Sequence, residues 1–138
     1  MRLIRKATNE TVPIEDGFLW SDEFNWKPIE QNQERAVDGT LIVQEGKKKS
    51  GRPITLTPTD GQGWVKRSDL SIIQNWSALQ GEQFTLSFEY PHDARQFNVI
   101  FNHAGGENNA KTVMRFPKVS EGDYYEVTLK FIEVPNAN

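Results

Sequence analysis

Two groups of acidic residues are the side chains that could do acid–base chemistry. Asp22 is followed by Glu23, and Glu121 lies two positions before Asp123. Two carboxyl groups held a few ångströms apart, one protonated and one ionised, are the usual apparatus of sugar hydrolysis. Spacing along the chain does not place either pair across a cleft, so we predict that these acids are solvated surface groups.

Other catalytic patterns are missing from the sequence. There are no cysteines and only two histidines, His92 and His103, without metal-ligand spacing around them. No Gly-x-Ser-x-Gly motif is present, and the lysines of residues 46–51 precede the second glycine instead of following it as in a phosphate-binding loop. The sequence therefore predicts a protein that is not an enzyme and holds no metal or cofactor, with a solvated basic loop that can dock an acidic neighbour.

Aromatic side chains are the remaining signal for binding. Trp20, Phe24 and Trp26 fall within seven residues, and Trp64 and Trp76 follow later. An exposed indole can stack on a sugar ring or anchor a protein interface, because it has a rigid apolar face and a polar edge. Helical spacing places Trp76 in the core, whereas core and interface both stay open for Trp20 and Trp26. A carbohydrate-binding module that uses Trp20, Trp26 or Trp64 is the alternative function.

Length and charge set the frame for these side chains. The 138 residues are one domain's worth of chain, with 36% hydrophobic and 25% charged residues and a net charge of −3. This balance predicts no nucleic-acid or membrane partner, and neither a secretory signal nor an 18-residue apolar run is present. We predict a single β-rich domain over residues 1–138, with an N-terminal arm at about residues 1–17 that is extended and makes contacts.

Alternation of apolar and polar residues predicts strands in the C-terminal half. Residues 84–90, 97–101 and 125–131 each place large apolar side chains at every second position, which is typical of strands with one buried face. Helical spacing appears only over residues 68–79, with Ser68 as the cap and with Leu70, Ile73, Trp76 and Leu79 on one stripe. The expected fold is mainly β: an antiparallel β-sandwich or partly open barrel with one packed α-helix.

A polar hairpin is predicted in the first half. Asp38-Gly39 favours a two-residue turn, because both residue types tolerate positive φ. Residues 29–35, on the near side of this turn, offer almost nothing to a core. We therefore expect that strand to lie at a sheet edge or beneath a partner chain.

These features in their order resemble a known group of proteins. They are Phe18-Leu19-Trp20-Ser21, the hairpin through Asp38-Gly39, Gly51-Arg52-Pro53-Ile54-Thr55-Leu56, the Trp-bearing helix, and the closing Tyr-x-Val-Thr-Leu-x-Phe strand. Over about residues 15–134 the chain is similar to small structural proteins of tailed-bacteriophage tails and baseplates, including the β-rich domain of distal-tail ring proteins.

The resemblance implies assembly without catalysis. Proteins of that group form rings or collars around the tail tube, so the expected partners are copies of the chain itself and the tube, hub and tape-measure proteins. The expected location is the virion tail, after synthesis in the host cytoplasm. The candidate interface residues are Trp20, Phe24, Trp26, Gln31, Gln33, Lys47, Lys48, Lys49 and Arg52.

Overall fold

The computed structural model describes residues 1–14, 17–59, 63–105, 109–112 and 124–135. Its strands are β1 (Arg2–Arg5), β2 (Thr11–Pro13), β3 (Phe18–Trp20), β4 (Ile29–Arg35), β5 (Leu41–Lys47), β6 (Pro53–Pro58), β7 (Trp64–Lys66), β8 (Phe84–Ser87), β9 (Gln96–Phe101), β10 (Asn109–Thr112) and β11 (Tyr124–Glu133). The helix α1 covers Arg67–Ser77, and a short 3₁₀ helix covers His103–Gly105.

Nine of these strands form one antiparallel sheet system with the order β2-β1-β8-β9-β11-β6-β3. β11 is its longest member, and it pairs with β7 and β10 through its first half and with β6 and β9 through its second half. This sharing lets the sheets pack face to face in a sandwich-like arrangement, without a closed barrel among the described strands. The prediction of a mainly β, antiparallel fold with one packed helix is confirmed.

Alternating residues of the C-terminal strands build the core. Phe84, Leu86 and Phe88 point inward from the β8 segment, and Val127, Leu129 and Phe131 do so from β11. The rings of Phe84 and Phe131 both lie against Phe101, at centroid distances of 5.3 and 5.1 Å. The period-two prediction for these strands is therefore confirmed.

The N-terminal segment belongs to this core, so the prediction of an extended contact arm is wrong for residues 1–14. β1 pairs with both β2 and β8. Leu3 and Val12 are fully buried, and Ile14 is nearly so. β1 and β2 are so short that the inward face of each consists of only one or two apolar side chains. Sequence periodicity does not reveal a pattern of this length.

The helix begins and ends earlier than the predicted range of residues 68–79, so Leu79 lies beyond its end and is 40% exposed instead of belonging to the buried stripe. Lys66 is the N-cap without a side-chain cap, so the capping role predicted for Ser68 is wrong. Ile73 and Trp76 are buried as predicted, and the Trp76 ring contacts Phe84 at 5.4 Å. α1 packs against β2 and β7, which places it on the sheet. None of the described helices is long and apolar enough to span a membrane.

Candidate interaction surface

The hairpin formed by β4 and β5 stands apart from the sandwich. The two strands pair with each other along all seven residues, and neither pairs with another described strand. Every residue of both strands is exposed to solvent. An isolated two-stranded hairpin is only marginally stable in water, because nothing covers its faces or its edges. This hairpin is therefore the part of the described surface that most needs a partner.

The tip of the hairpin is a three-residue loop, Val37–Gly39, and not the predicted two-residue turn. The Ala36 amide donates to the Thr40 carbonyl at 2.8 Å, and the Gly39 amide donates to the Ala36 carbonyl at 2.9 Å. Gly39 has φ +89°, which a residue without Cβ adopts freely. The Asp38 carboxylate accepts the Thr40 amide at 2.9 Å, and this hydrogen bond lowers the pKa of Asp38.

Polar and apolar side chains are mixed on the hairpin. Gln31 Nε2 donates to Glu45 Oε1 across the strands at 2.6 Å, and Gln33 donates to Gln31 along the same face. Between 42% and 46% of each of Leu41, Ile42 and Val43 is exposed. We did not assign these three residues to an interface from the sequence. The sequence signal that could have identified them is a run of consecutive apolar residues opposite a polar strand. Successive residues of a strand point to opposite faces, so such a run cannot bury all its side chains in a core on one side.

Trp26 and Lys48 close the base of the hairpin. Lys48 Nζ lies 4.7 Å from the centre of the Trp26 ring and 3.5 Å from Glu30 Oε2. The Lys48 amide donates to the Pro28 carbonyl at 2.8 Å, which extends the ladder beyond the strands. Residues 26–31 and Lys48 line a groove at this point, and the Trp26 ring is half-buried in it.

Other predicted interface positions divide between surface and core. Phe24 is 92% exposed, and Lys47 and Lys49 are exposed beside the hairpin base. Trp20, in contrast, is buried and stacks on Phe88 at 5.4 Å with an interplanar angle of 9°. The interface assignment of Trp20 is therefore wrong for the described chain, because β3 pairs with β6 and turns this ring inward.

Arg52 also has a structural role instead of the predicted loop contact. Its guanidinium lies 4.6 Å from the centre of the Trp20 ring, and Nη2 donates to the Glu23 carbonyl at 2.7 Å. The side chain thus covers the core tryptophan and fixes the turn after β3. This engagement removes Arg52 from the exposed basic loop that we predicted from residues 47–52.

The first acidic pair is used in folding contacts. Asp22 accepts the amide and the hydroxyl of Thr55 at 3.0 and 2.9 Å. Glu23 accepts a hydrogen bond from Arg95 at 2.9 Å. Both carboxylates therefore have protein partners, while Glu121 and Asp123 lie outside the described residues.

The two histidines contact aromatic rings. His92 stacks on Tyr90 at 5.5 Å, and His103 lies 6.4 Å from Phe101. Within the described ranges, no group of three or more His, Cys, Asp or Glu side chains could hold a metal ion.

Arg95 and Asp93 form a bidentate ion pair on the described surface. Arg95 donates to both carboxylate oxygens of Asp93 at 2.8 Å, and its guanidinium also lies 5.3 Å from the centre of the Trp20 ring. The hydrogen bonds from the Arg95 side chain lower the pKa of Asp93 from 3.8 to about 2, and they raise the pKa of Arg95. The pair locks the turn between β8 and β9 over the core.

This pair predicts a specific acid sensitivity. The lowered pKa means that ionised Asp93 stabilises the fold fully above about pH 4, and that this contribution is lost as the pH falls toward about 2. We expect the wild type to lose more unfolding free energy across this range than Asp93→Asn does. Urea unfolding of both proteins as a function of pH measures the difference. An NMR titration of the Asp93 carboxyl with a midpoint near 3.8 would contradict the assignment.

Comparison with known proteins gives no relative for this chain. No family model matches it, and neither a curated protein nor a solved structure does so. The class of protein that the fold defines is a β-sandwich with a projecting hairpin.

Proposed function

We propose that this protein is a structural subunit that assembles with copies of itself through the projecting hairpin. The single observation that carries the proposal is a seven-residue antiparallel hairpin that is exposed along its whole length. The sequence resemblance supplies the setting, which is a ring or collar around the tube of a bacteriophage tail or baseplate. In that setting the tube, hub and tape-measure proteins are the further partners.

Strand addition is the physical reason why the hairpin suits assembly. A free strand edge presents a row of backbone donors and acceptors, and a partner strand that satisfies them contributes affinity through main-chain hydrogen bonds. Partner strands also cover the exposed Leu41, Ile42 and Val43 side chains at their flanks. If one hairpin edge of each copy pairs with the other hairpin edge of the next copy, the contacts are heterologous. Such contacts close into a ring when a whole number of copies completes one full rotation.

The fold leaves fewer tryptophan rings available for the carbohydrate-binding alternative. Trp20 and Trp76 are buried, and Trp64 is half-buried with its ring 5.9 Å from Tyr124. The half-exposed Trp26 lines the groove at the hairpin base, but Lys48 covers one face of its ring. Sugar stacking needs an open aromatic face, so assembly is the function that these contacts favour.

Light scattering after size-exclusion chromatography tests the proposal. We expect oligomers whose population rises with protein concentration, and electron microscopy of the largest species should show rings. A strict monomer that binds glycans and loses this binding in Trp26→Ala would instead favour the carbohydrate-binding alternative. Both measurements are made on the protein of 138 residues.

Charge reversal of the lysine cluster gives a second measurement. We expect Lys47→Glu, Lys48→Glu and Lys49→Glu together to impair assembly and leave the sandwich folded. Lys47 and Lys49 are exposed, and exposed charges contribute little to stability, while the Lys48 side chain contacts Trp26 and Glu30 at the hairpin base, outside the core. Circular dichroism follows the fold and light scattering follows the assembly. Lys66→Glu changes an exposed lysine on β7, and serves as the control. Normal assembly of the triple variant would refute a contact role for the cluster.

A further inference from the structure

We propose that copies join head to tail, with the outer edge of β5 in one copy paired to the outer edge of β4 in the next. The strands run antiparallel, and the register repeats the one inside the hairpin, from Ile29 opposite Lys47 to Arg35 opposite Leu41. This inference rests on the proposed function, because it specifies how the same hairpin assembles. Its partner is a second copy of this chain.

The hydrogen-bond ladder of the hairpin identifies the free backbone groups. Lys48 donates to Pro28, and Ala36 donates to Thr40, so both ends of the ladder have hydrogen-bonded pairs at even-numbered positions. In an antiparallel pair, hydrogen-bonded and non-hydrogen-bonded pairs alternate. The even-numbered residues therefore direct their N–H and C=O groups into the hairpin. The odd-numbered residues direct theirs outward, and these are Ile29, Gln31, Gln33 and Arg35 on β4 and Leu41, Val43, Glu45 and Lys47 on β5.

Head-to-tail pairing matches these free groups without a shift of register. Each outward residue of β5 then faces an outward residue of the neighbouring β4, so the new ladder uses all seven positions of both strands. The side-chain pairs of the hairpin recur across the interface. Gln31 again faces Glu45, a pair that makes a 2.6 Å hydrogen bond within one copy, and Glu34 again faces Ile42. No two like charges lie directly opposite each other.

Pairing of two β4 edges about a two-fold axis is disfavoured by charge. The antiparallel register that pairs all seven residues places Asn32 of one copy opposite Asn32 of the other. The same register puts Glu30 of each copy opposite Glu34 of the other, so two carboxylate pairs meet across the interface. Like charges directly opposite each other on neighbouring strands are destabilising. Registers that avoid this contact shorten the ladder.

Pairing of two β5 edges avoids like charges but leaves both β4 edges open. Head-to-tail pairing also avoids like charges, and it uses both edges of every copy. Over the seven paired positions β4 carries two glutamates and one arginine, whereas β5 carries one glutamate and one lysine. Placing β4 beside residues 41–49 brings Lys48 near Glu30 of the neighbour, as it already is within one copy at 3.5 Å. Head-to-tail pairing therefore satisfies both edges and repeats the Lys48–Glu30 contact between copies.

Disulfide trapping between single-cysteine variants tests this arrangement. The chain has no cysteine, so each new thiol is unique. Asn32 and Gln44 of neighbouring copies form a non-hydrogen-bonded pair in the proposed register, whose Cβ separation of about 4.5–5.5 Å approaches that of a disulfide. We expect rapid formation of a mixed dimer when Asn32→Cys and Gln44→Cys proteins are combined under mild oxidation, with one variant tagged so that mass identifies the product. Ser68→Cys on α1, mixed with Gln44→Cys, measures random collision.

The other products identify the other arrangements. Preferential homodimers of Asn32→Cys would show that two β4 edges pair with each other, and preferential homodimers of Gln44→Cys would show the same for two β5 edges. Either result would overturn the head-to-tail pairing. Oligomers by light scattering without any trapped dimer would refute this pairing and leave the proposed function standing. A protein that stays monomeric at every concentration would refute both.

Discussion

Truncation of Ile54 to alanine is expected to lower the free energy of unfolding by about 2–5 kcal/mol. Ile54 lies on β6, is fully buried, and faces Phe131 across the β6–β11 ladder. Removing its side-chain carbons leaves a cavity that the surrounding rings fill only in part. Because domains of this size are stable by about 5–15 kcal/mol, the loss is a large fraction of the total.

Ile42→Ala makes the same chemical change on the hairpin and is the matched control. Ile42 is 46% exposed, so we expect a change within about 0.5 kcal/mol for the monomer. Urea unfolding of dilute protein measures both variants in the absence of assembly. Equal losses at positions 42 and 54 would contradict the separation of the hairpin from the core. A loss of oligomers in Ile42→Ala alone would agree with its place at an interface.

A single proline at an outward position, on either strand of the hairpin, is expected to abolish assembly of the variant that carries it. Gln33→Pro removes an outward N–H of β4, and Val43→Pro removes one of β5. Proline is tolerated on strand edges where its missing N–H faces away from the ladder, so the hairpin should persist. Each variant keeps one intact edge, and head-to-tail assembly needs two.

Mixing the two proline variants is expected to restore a dimer and nothing larger. The intact β5 edge of Gln33→Pro can accept the intact β4 edge of Val43→Pro, after which both remaining edges are blocked. Light scattering of the separate and mixed proteins reads the result. Dimers of Val43→Pro alone would indicate β4 self-pairing, and dimers of Gln33→Pro alone would indicate β5 self-pairing. Unchanged large oligomers in both variants would place the assembly contact elsewhere.

Strong local patterns were enough to predict much of the fold. Residues 84–90, which include β8, and residues 125–131 of β11 alternate large apolar and polar residues, and the stripe of Ile73 and Trp76 has helical spacing. The polar composition of residues 29–35 likewise indicated a strand outside the core. Such patterns report which side chains leave water, and that preference depends on the residues themselves.

Local patterns failed where a single side chain decides an element. β1 and β2 each bury one or two apolar residues, so their entry into the sheet depends on β8 as a partner. The same limit applied to Trp20 and Arg52, whose polar sequence neighbours suggested a surface. Trp20 is buried against Phe88, which is distant in sequence, and Arg52 in turn covers the Trp20 ring.

The amino-acid sequence by itself determined an antiparallel β fold, a helix with one apolar stripe, and a polar hairpin between residues 29 and 47. Tertiary structure alone decided that this hairpin leaves the sandwich and keeps both of its edges free of other described strands. The reason is physical: residue type sets whether a side chain prefers water, whereas a strand edge is open or closed only according to which distant strand lies beside it.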